Sequence, residues 1–243
     1  DVINNFVRGK ILEDKAGNIW YCNESGIYKW DVFKEKIVRV KAFEKKAFSG
    51  VAFISVALDS NGSLWLFNVV YGIFEFNIYS GRLTQYPLAI KIKSSTIQTS
   101  FITVDEDENI WIRIFSNDVP YIVFNKSSHK YSLQLADDPP HAIFFSDHKM
   151  ITAFDEKLVY KNLLNNQSYT IPKSINKKPI SFYSFDGIKD NYGRLWMTAR
   201  GTGLFCYDEK NNTFEEYHHD NSKIKSLPFN LTTCLLIDNS ENF

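Results

Sequence analysis

Residues 105–114 read DEDENIWIRI, four carboxylates ahead of an apolar run. Alternating oxygen-bearing side chains in a short loop are the donor set that a hard cation such as Ca²⁺ takes. The remaining loop positions do not fit such a site. The sixth is Ile110, where a sharp turn wants Gly, and the twelfth is Ser116, where a bidentate Glu is needed. His218, His219 and Asp220 form a second candidate, with two imidazoles and a carboxylate in a row, but no third ligand follows at a defined spacing, so a solvated loop is the better reading. The stretch GTGLFC from Gly201 has a G-x-G start, yet it lies between two strand-like runs and opens no helix. No G-x-S-x-G elbow, H-E-x-x-H helix or phosphate-binding G-x-x-x-x-G-K-[ST] loop occurs. Cys22, Cys206 and Cys234 form no C-x-x-C pair, and three thiols allow at most one internal disulfide, which fits either redox compartment. The expectation is no metal, no cofactor and no catalytic residue.

Bulk properties narrow the class. The chain has 243 residues, enough to bury roughly 70–75 % of its unfolded surface. Lys plus Arg and Asp plus Glu both number 28, so no net field draws the chain to nucleic acid or to an anionic membrane surface, and neither is expected as a partner. Aromatic residues make up 16 %, which together with many Ile, Val and Thr favours pleated, half-buried surfaces. No apolar run approaches the roughly 20 residues of a membrane span.

A repeat accounts for the opening acidic stretch. DKAGNIW (14–20), DSNGSLW (59–65), DEDENIW (105–111) and DNYGRLW (190–196) share the frame D-x-x-G-x-[IL]-W. Trp20, Trp65, Trp111 and Trp196 are spaced by 45, 46 and 85 residues, and the long gap holds a decayed copy around FSDHKMI with Ile151 in the Trp slot. A sixth copy, DNSENF, begins at Asp238. Each full copy continues with a second apolar run, entered through Gly in GIYKWD (Gly26), GIFEFN (Gly72) and GLFCYD (Gly203), and without it in YIVFN (121–125) and LVYKN (158–162).

A third short run closes each unit, and a fourth precedes each frame. Four short strands in about 45 residues make a propeller blade, with each sheet packed between neighbours. Burial on both faces explains why IWYC and LWLF are apolar at consecutive positions instead of alternating. Helical repeats are disfavoured by apolar runs of only four to six residues punctuated by Gly, Asp and Asn. The expected fold is all-β: a β-propeller of about five four-stranded blades plus one strand, in repeats near 6–46, 51–92, 98–136, 140–173 and 181–224, with a further blade opening at 231–243.

In this frame Asp105 is a turn residue whose carboxylate accepts the backbone N–H two residues on, while the fourth position wants the positive φ of Gly. Glu108 stands there in the third copy, which costs about 1–2 kcal/mol if it keeps the left-handed conformation, unless Asn109 takes that conformation instead. The repeat tryptophans are expected to be equivalent core residues between blades.

D-x-x-G-x-[IL]-W followed by G-[IL]-x-x-[aromatic]-[DN] resembles the two-component regulator propeller repeat. Residues 218–243, with Ser226-Leu227 ahead of a strand and the next Asp, are similar to that family's connection between blades. The resemblance covers essentially the whole chain. It implies the periplasmic sensor region of a hybrid two-component system of the kind found in Bacteroides-type bacteria, built from seven-bladed propellers. An immunoglobulin-like domain, a membrane helix and a histidine kinase would then lie outside residues 1–243. It also implies an oligosaccharide ligand, other sensor domains of the same chain as partners, and a homodimer as a state open to the full-length sensor. The departures are the fourth copy, which lacks Trp and Gly, and the non-glycine turns at Glu108 and Glu241.

Blade topology places a ligand on the end that carries the second-to-third-strand loops and the blade-to-blade linkers, because those segments vary while the Asp turns repeat. The candidates are Asn23, Tyr71, Asn117, Asp118 and Arg200 in the loops, with His141 and His218 in the linkers. A propeller glycoside hydrolase or lyase is the first alternative. The sialidase Asp-box, D-x-G-x-x-W, is one residue shorter than the frame here, and no arginine cluster falls in register. A protein-interaction scaffold is the second.

Overall fold

The computed structural model describes residues 9–23, 26–44, 56–68, 70–89, 98–115, 121–134, 142–146, 148–153, 158–171, 174–175, 178–179, 187–199, 203–230, 232, 235–238 and 240. The fold is all-β, with five four-stranded antiparallel sheets, each a meander lying within one sequence repeat. The first holds β1 (Gly9–Glu13), β2 (Ile19–Asn23), β3 (Gly26–Asp31) and β4 (Lys36–Arg39). The second holds β5 (Val56–Leu58), β6 (Ser63–Asn68), β7 (Gly72–Asn77) and β8 (Leu83–Tyr86). The third holds β9 (Gln98–Val104), β10 (Ile110–Phe115), β11 (Tyr121–Asn125) and β12 (Lys130–Gln134). The fourth holds β13 (Ala142–Ser146), β14 (Lys149–Ala153), β15 (Leu158–Asn162) and β16 (Ser168–Ile171). A small hairpin, β17 (Ser174–Ile175) and β18 (Lys178–Pro179), precedes the fifth blade of β19 (Gly187–Lys189), β20 (Arg194–Ala199), β21 (Gly203–Asp208) and β22 (Thr213–Tyr217). The chain divides into two compact units, Asp1–Asp137 with three blades and Asp138–Phe243 with two.

Alternation along β6 shows why its residues are continuously apolar. Leu64 and Leu66 join Trp20, Cys22, Ile27 and Phe43 in a core between the first and second blades. Trp65 and Phe67, one step along the strand, join Ile110, Ile112, Ile122 and Phe124 between the second and third. In the second unit Ile151, Leu158 and Tyr160 of the fourth blade meet Leu195, Met197 and Phe205 of the fifth. Ile151 therefore does occupy the Trp slot, on the face that turns to the following blade. The fourth strands are the exposed edges, as β4, exposed at Lys36 and Arg39, and the largely exposed β22 show.

The Asp turns carry more hydrogen bonds than the sequence suggested. Asp14 Oδ1 accepts the N–H groups of Ala16 and Asn18, both at 2.9 Å, while Oδ2 accepts the Trp20 indole N–H at 2.8 Å. Asp59, Asp105 and Asp190 repeat the pattern, taking the indole N–H of Trp65, Trp111 and Trp196 at 2.8, 2.8 and 2.9 Å. Each carboxylate thus ties its own turn to the tryptophan six residues on, which at Asp14, Asp59 and Asp190 satisfies a buried indole donor and a buried anion together. The left-handed fourth position falls on Gly17, Gly62 and Gly193 and, in the third copy, on Glu108 itself at φ 60° and not on Asn109. In the fourth blade only residues 147–148 separate β13 from β14, so the hairpin is shorter; Asp147 lies outside the described residues.

The third-to-fourth-strand hairpins repeat as closely. Asp31, Asn77, Asn125, Asn162 and Asp208 end the third strands, and each accepts backbone N–H groups two or three residues on through its side chain. Four residues after each of them lies a positive φ, at Glu35, Gly81, His129, Asn166 and Asn212.

The Asp turns set a pH dependence. Burial by itself raises the pKa of Asp14, Asp59 and Asp190, but hydrogen bonds, among them the indole of the same frame, outweigh it and hold all three below the usual carboxylate value. A carboxyl with a depressed folded-state pKa contributes stability that is present above its unfolded pKa near 4 and is lost as pH falls through the folded value. The urea midpoint is expected to hold between pH 7 and about 5 and to fall below about pH 4. Asp59→Asn should flatten that fall, and an identical acid profile in this variant would exclude Asp59 as a source.

Candidate functional site

The two ends of the strands differ in kind. The end carrying the Asp turns and the third-to-fourth-strand hairpins is cross-linked between blades. Lys126, directly after the Asn125 turn residue of the third blade, bonds Asp59 Oδ2 of the second at 2.9 Å and Glu108 Oε2 of its own Asp turn at 2.7 Å, with its ammonium 5.6 Å from the Trp65 ring centre. Hydrogen bonding from Lys126 and Ser60 lowers the Glu108 pKa. Ser60 Oγ donates to Glu108, Asn61 Nδ2 does so at 2.5 Å, and Lys15 Nζ reaches the Ser60 carbonyl at 3.0 Å. In the second unit Lys149 of the fourth blade pairs with Glu209 of the fifth, and Tyr169 Oη donates to the same carboxylate. In the acidic stretch that opened the sequence, Asp105 is thus used within its own turn, by Asn109 and Trp111, and Glu108 in bonds to Ser60 and Asn61 of the second blade.

The opposite end carries the second-to-third-strand loops. In the second blade Asn68 Oδ1 accepts the N–H groups of Val70 and Tyr71 at 2.9 and 3.2 Å, and the Tyr71 carbonyl accepts Gln85 Nε2 at 2.9 Å. The next residue is Gly72, at φ 90°, where a Cβ would lie 2.2 Å from the Tyr86 carbonyl oxygen. The backbone is therefore held by Asn68 and Gln85 and packed close on Tyr86, while two apolar side chains stand outward, Val70 at 73 % and Tyr71 at 43 % exposure. Asn23 occupies the strand-ending position of Asn68 in the first blade, where it pairs with Gly26 and is only 3 % exposed.

In the second unit the segment after β22 is pinned by its own polar groups. His219 places Nδ1 2.7 Å from the Leu227 carbonyl and Nε2 2.9 Å from Asn221 Oδ1, and its N–H donates to Asn230 Oδ1. Asp220 receives Ser222 through both hydroxyl and backbone, which, with Lys223 and against slight burial, brings its pKa down to about 2. Thr232 Oγ1 then donates to the Gly203 carbonyl at 2.6 Å, tying the segment to the start of β21. His218 is exposed beside this framework.

Of the seven sequence candidates, Asn23 and Tyr71 lie on the loop end of the first unit and His218 starts the linker of the second. Asn117, Asp118, His141 and Arg200 lie outside the described residues. Sequence reasoning missed Asn68, Gln85 and Gly72 as the frame that holds Tyr71. Their signal was the Asn that ends β6 two residues before Val70.

Groups able to perform covalent or metal chemistry are not assembled among the described residues. No three His, Cys, Asp or Glu side chains come together there as a metal site. Burial pushes the Cys22 thiol well up and that of Cys206 to about 11, so neither is a ready thiolate nucleophile at neutral pH. No helix among the described residues is long and apolar enough to cross a membrane.

No protein-family model matches the sequence, and no curated protein does. Solved structures do. The extracellular domain of the putative hybrid two-component system BT4673 from B. thetaiotaomicron superposes over 98 % of this chain with a TM-score of 0.59 at 14 % identity. That of BT3049 from the same organism covers 95 % with a TM-score of 0.60 at 15 % identity. PorZ, a surface component of the type-IX secretion system of Porphyromonas gingivalis, covers 95 % with 0.63 at 14 %. The chain spans little more than a third of each, 37, 37 and 36 % of their lengths. At these identities the likeness is one of fold, and the chain shares the β-propeller fold of the extracellular domains of putative Bacteroides hybrid two-component systems.

Proposed function

We propose that this chain is a non-catalytic, ligand-sensing part of an extracytoplasmic receptor of the hybrid two-component kind, one that binds an oligosaccharide and passes its occupancy to a histidine kinase elsewhere in the receptor. The observation that carries the reading is the contrast between the two ends of the blades. One is used up in repeated bonds between turns and neighbouring blades, and the other presents Tyr71 on a backbone already fixed by Asn68 and Gln85. An outward tyrosine on a rigid loop suits a sugar, whose C–H face stacks on an aromatic ring while its hydroxyls take directional polar partners. His218, and Asn117, Asp118, His141 and Arg200 by their place in the sequence, are proposed as polar contributors. The shared fold with two extracellular domains of putative hybrid two-component systems supports the receptor setting.

The test is a panel of glycans screened on the immobilised chain, followed by calorimetry and product analysis on any that bind. Tyr71→Ala is expected to weaken binding roughly tenfold, the loss of about 1.4 kcal/mol of stacking, with the melting temperature little changed because the loop's hydrogen bonds run through the backbone of Tyr71. The glycan should be recovered intact. Unchanged affinity in the variant would remove Tyr71 from the site, and reproducible cleavage would favour the glycoside hydrolase reading.

A further inference from the structure

Asn61 and Gly62 form the one Asn-Gly step in the chain. They fill the third and fourth places of the Asp59 turn, where the other frames put Ala16, Asp107 and Tyr192 ahead of the left-handed residue. Such a step is chemically labile, because glycine has no side chain to keep its own backbone nitrogen away from the Asn side-chain carbonyl carbon.

The fold holds both reacting groups in other bonds. Asn61 Nδ2 donates to Glu108 Oε1 of the third blade at 2.5 Å, and the Asn61 N–H donates to Asp59 Oδ1 at 2.9 Å. The Gly62 N–H, on the nitrogen that would attack, donates to the Asp59 carbonyl at 3.3 Å. Gly62 is buried, with Tyr79 Cε2 2.3 Å from where a Cβ would stand, whereas Asn61 is exposed. Glu108 takes a left-handed φ of 60°, in a place filled by Gly in three other frames, and from there its carboxylate gathers Ser60, Asn61 and Lys126. A strained residue that collects three partners points to a role for that carboxylate.

We propose that Asn61-Gly62 is a site of spontaneous deamidation, that the bond to Glu108 slows the reaction in the folded chain, and that the product is an irreversible charge switch at the junction of the second and third blades. The Gly62 nitrogen loses its proton and bonds Asn61 Cγ, and Nδ2 leaves as ammonia. One water then opens the resulting succinimide to aspartate or isoaspartate. Either product sets a carboxylate where an amide donor now meets Glu108, so a hydrogen bond gives way to repulsion between like charges. Isoaspartate also lengthens the backbone inside the turn whose N–H groups at residues 61 and 63 are bonded to Asp59. The inference is independent of the ligand.

The test is incubation of the chain at mildly alkaline pH, with peptide mapping by mass spectrometry to follow conversion of the Asn61 amide to acid. The chain unfolded in urea sets the upper rate, and the folded chain is expected to be slower. Glu108→Ala should speed the folded-state reaction roughly fivefold, with Glu108→Gln, which keeps a neutral acceptor, falling between. Asn61→Asp stands in for the product. Its urea midpoint should fall, and the fall should shrink in the Glu108→Gln background, a cycle that holds even if Glu108→Ala does not fold. Equal rates in the folded and unfolded chain, equal rates in the Glu108 variants, or an Asn61→Asp loss of the same size in both backgrounds would overturn the proposal. So would an Asn61 amide that stays intact in the unfolded chain.

Discussion

Trp65→Ala is expected to destabilise the fold by about 3–5 kcal/mol, the largest loss among the four repeat tryptophans. Trp65 is fully buried between the second and third blades, against Phe67, Ile110 and Phe124. Truncation leaves a cavity that β-sheet backbone on both sides cannot close, and it strips Asp59 of the indole donor on Oδ2. Lys126 loses the ring beneath its ammonium at the same time. Trp111 makes the same bond to Asp105 but is partly exposed, so Trp111→Ala should cost less. Urea unfolding of the two variants checks the order, and an equal or greater loss at Trp111 would contradict this account of the core.

Gly72→Ala is expected to cost about 2–5 kcal/mol, combining left-handed strain with a clash against backbone. A Cβ there would lie 2.2 Å from the Tyr86 carbonyl oxygen, on the residue the β7–β8 ladder holds opposite Ile73, and 2.6 Å from the Leu88 nitrogen. Gly81 is the control. It has φ +70° but nothing within 4 Å of an added Cβ, so Gly81→Ala should cost only the strain of about 1–2 kcal/mol. Thermal unfolding that gives both variants the same small loss would show that the close approach at Gly72 relaxes freely.

The frame D-x-x-G-x-[IL]-W carried the fold because its features are local: a turn, its left-handed residue and a strand buried on both faces. The hydrogen bond from each Trp to its own Asp was present in the sequence as a fixed six-residue spacing, but spacing does not say that an indole N–H points back along the strand to the turn. The fourth blade was legible through Ile151 and the run LVYKN but not through the Asp turn, since its hairpin is cut to two residues and the Asp slot with it. The polar contacts between blades were not legible. Lys126 and Glu209 stand at one structural position with opposite charge, and only the neighbouring blade explains the choice. On the loop end the variable loops after each Trp offered Tyr71 and Asn23 alike; Tyr71 stands outward, whereas Asn23 closes β2 and is buried. A residue's type fixes what it can bond, and one position along a strand decides whether it faces solvent.

The central claim is that the Asp-turn end of the blades is structural and the loop end is the recognition surface. Amide and indole N–H resonances followed during titration with a bound oligosaccharide test it most directly. The account predicts shifts at residues 68–72, with the Asp-bonded indole signals of Trp20, Trp65, Trp111 and Trp196 unmoved. Shifts confined to those indoles and to the turns at 14–18 and 59–62, with the loop amides silent, would contradict it.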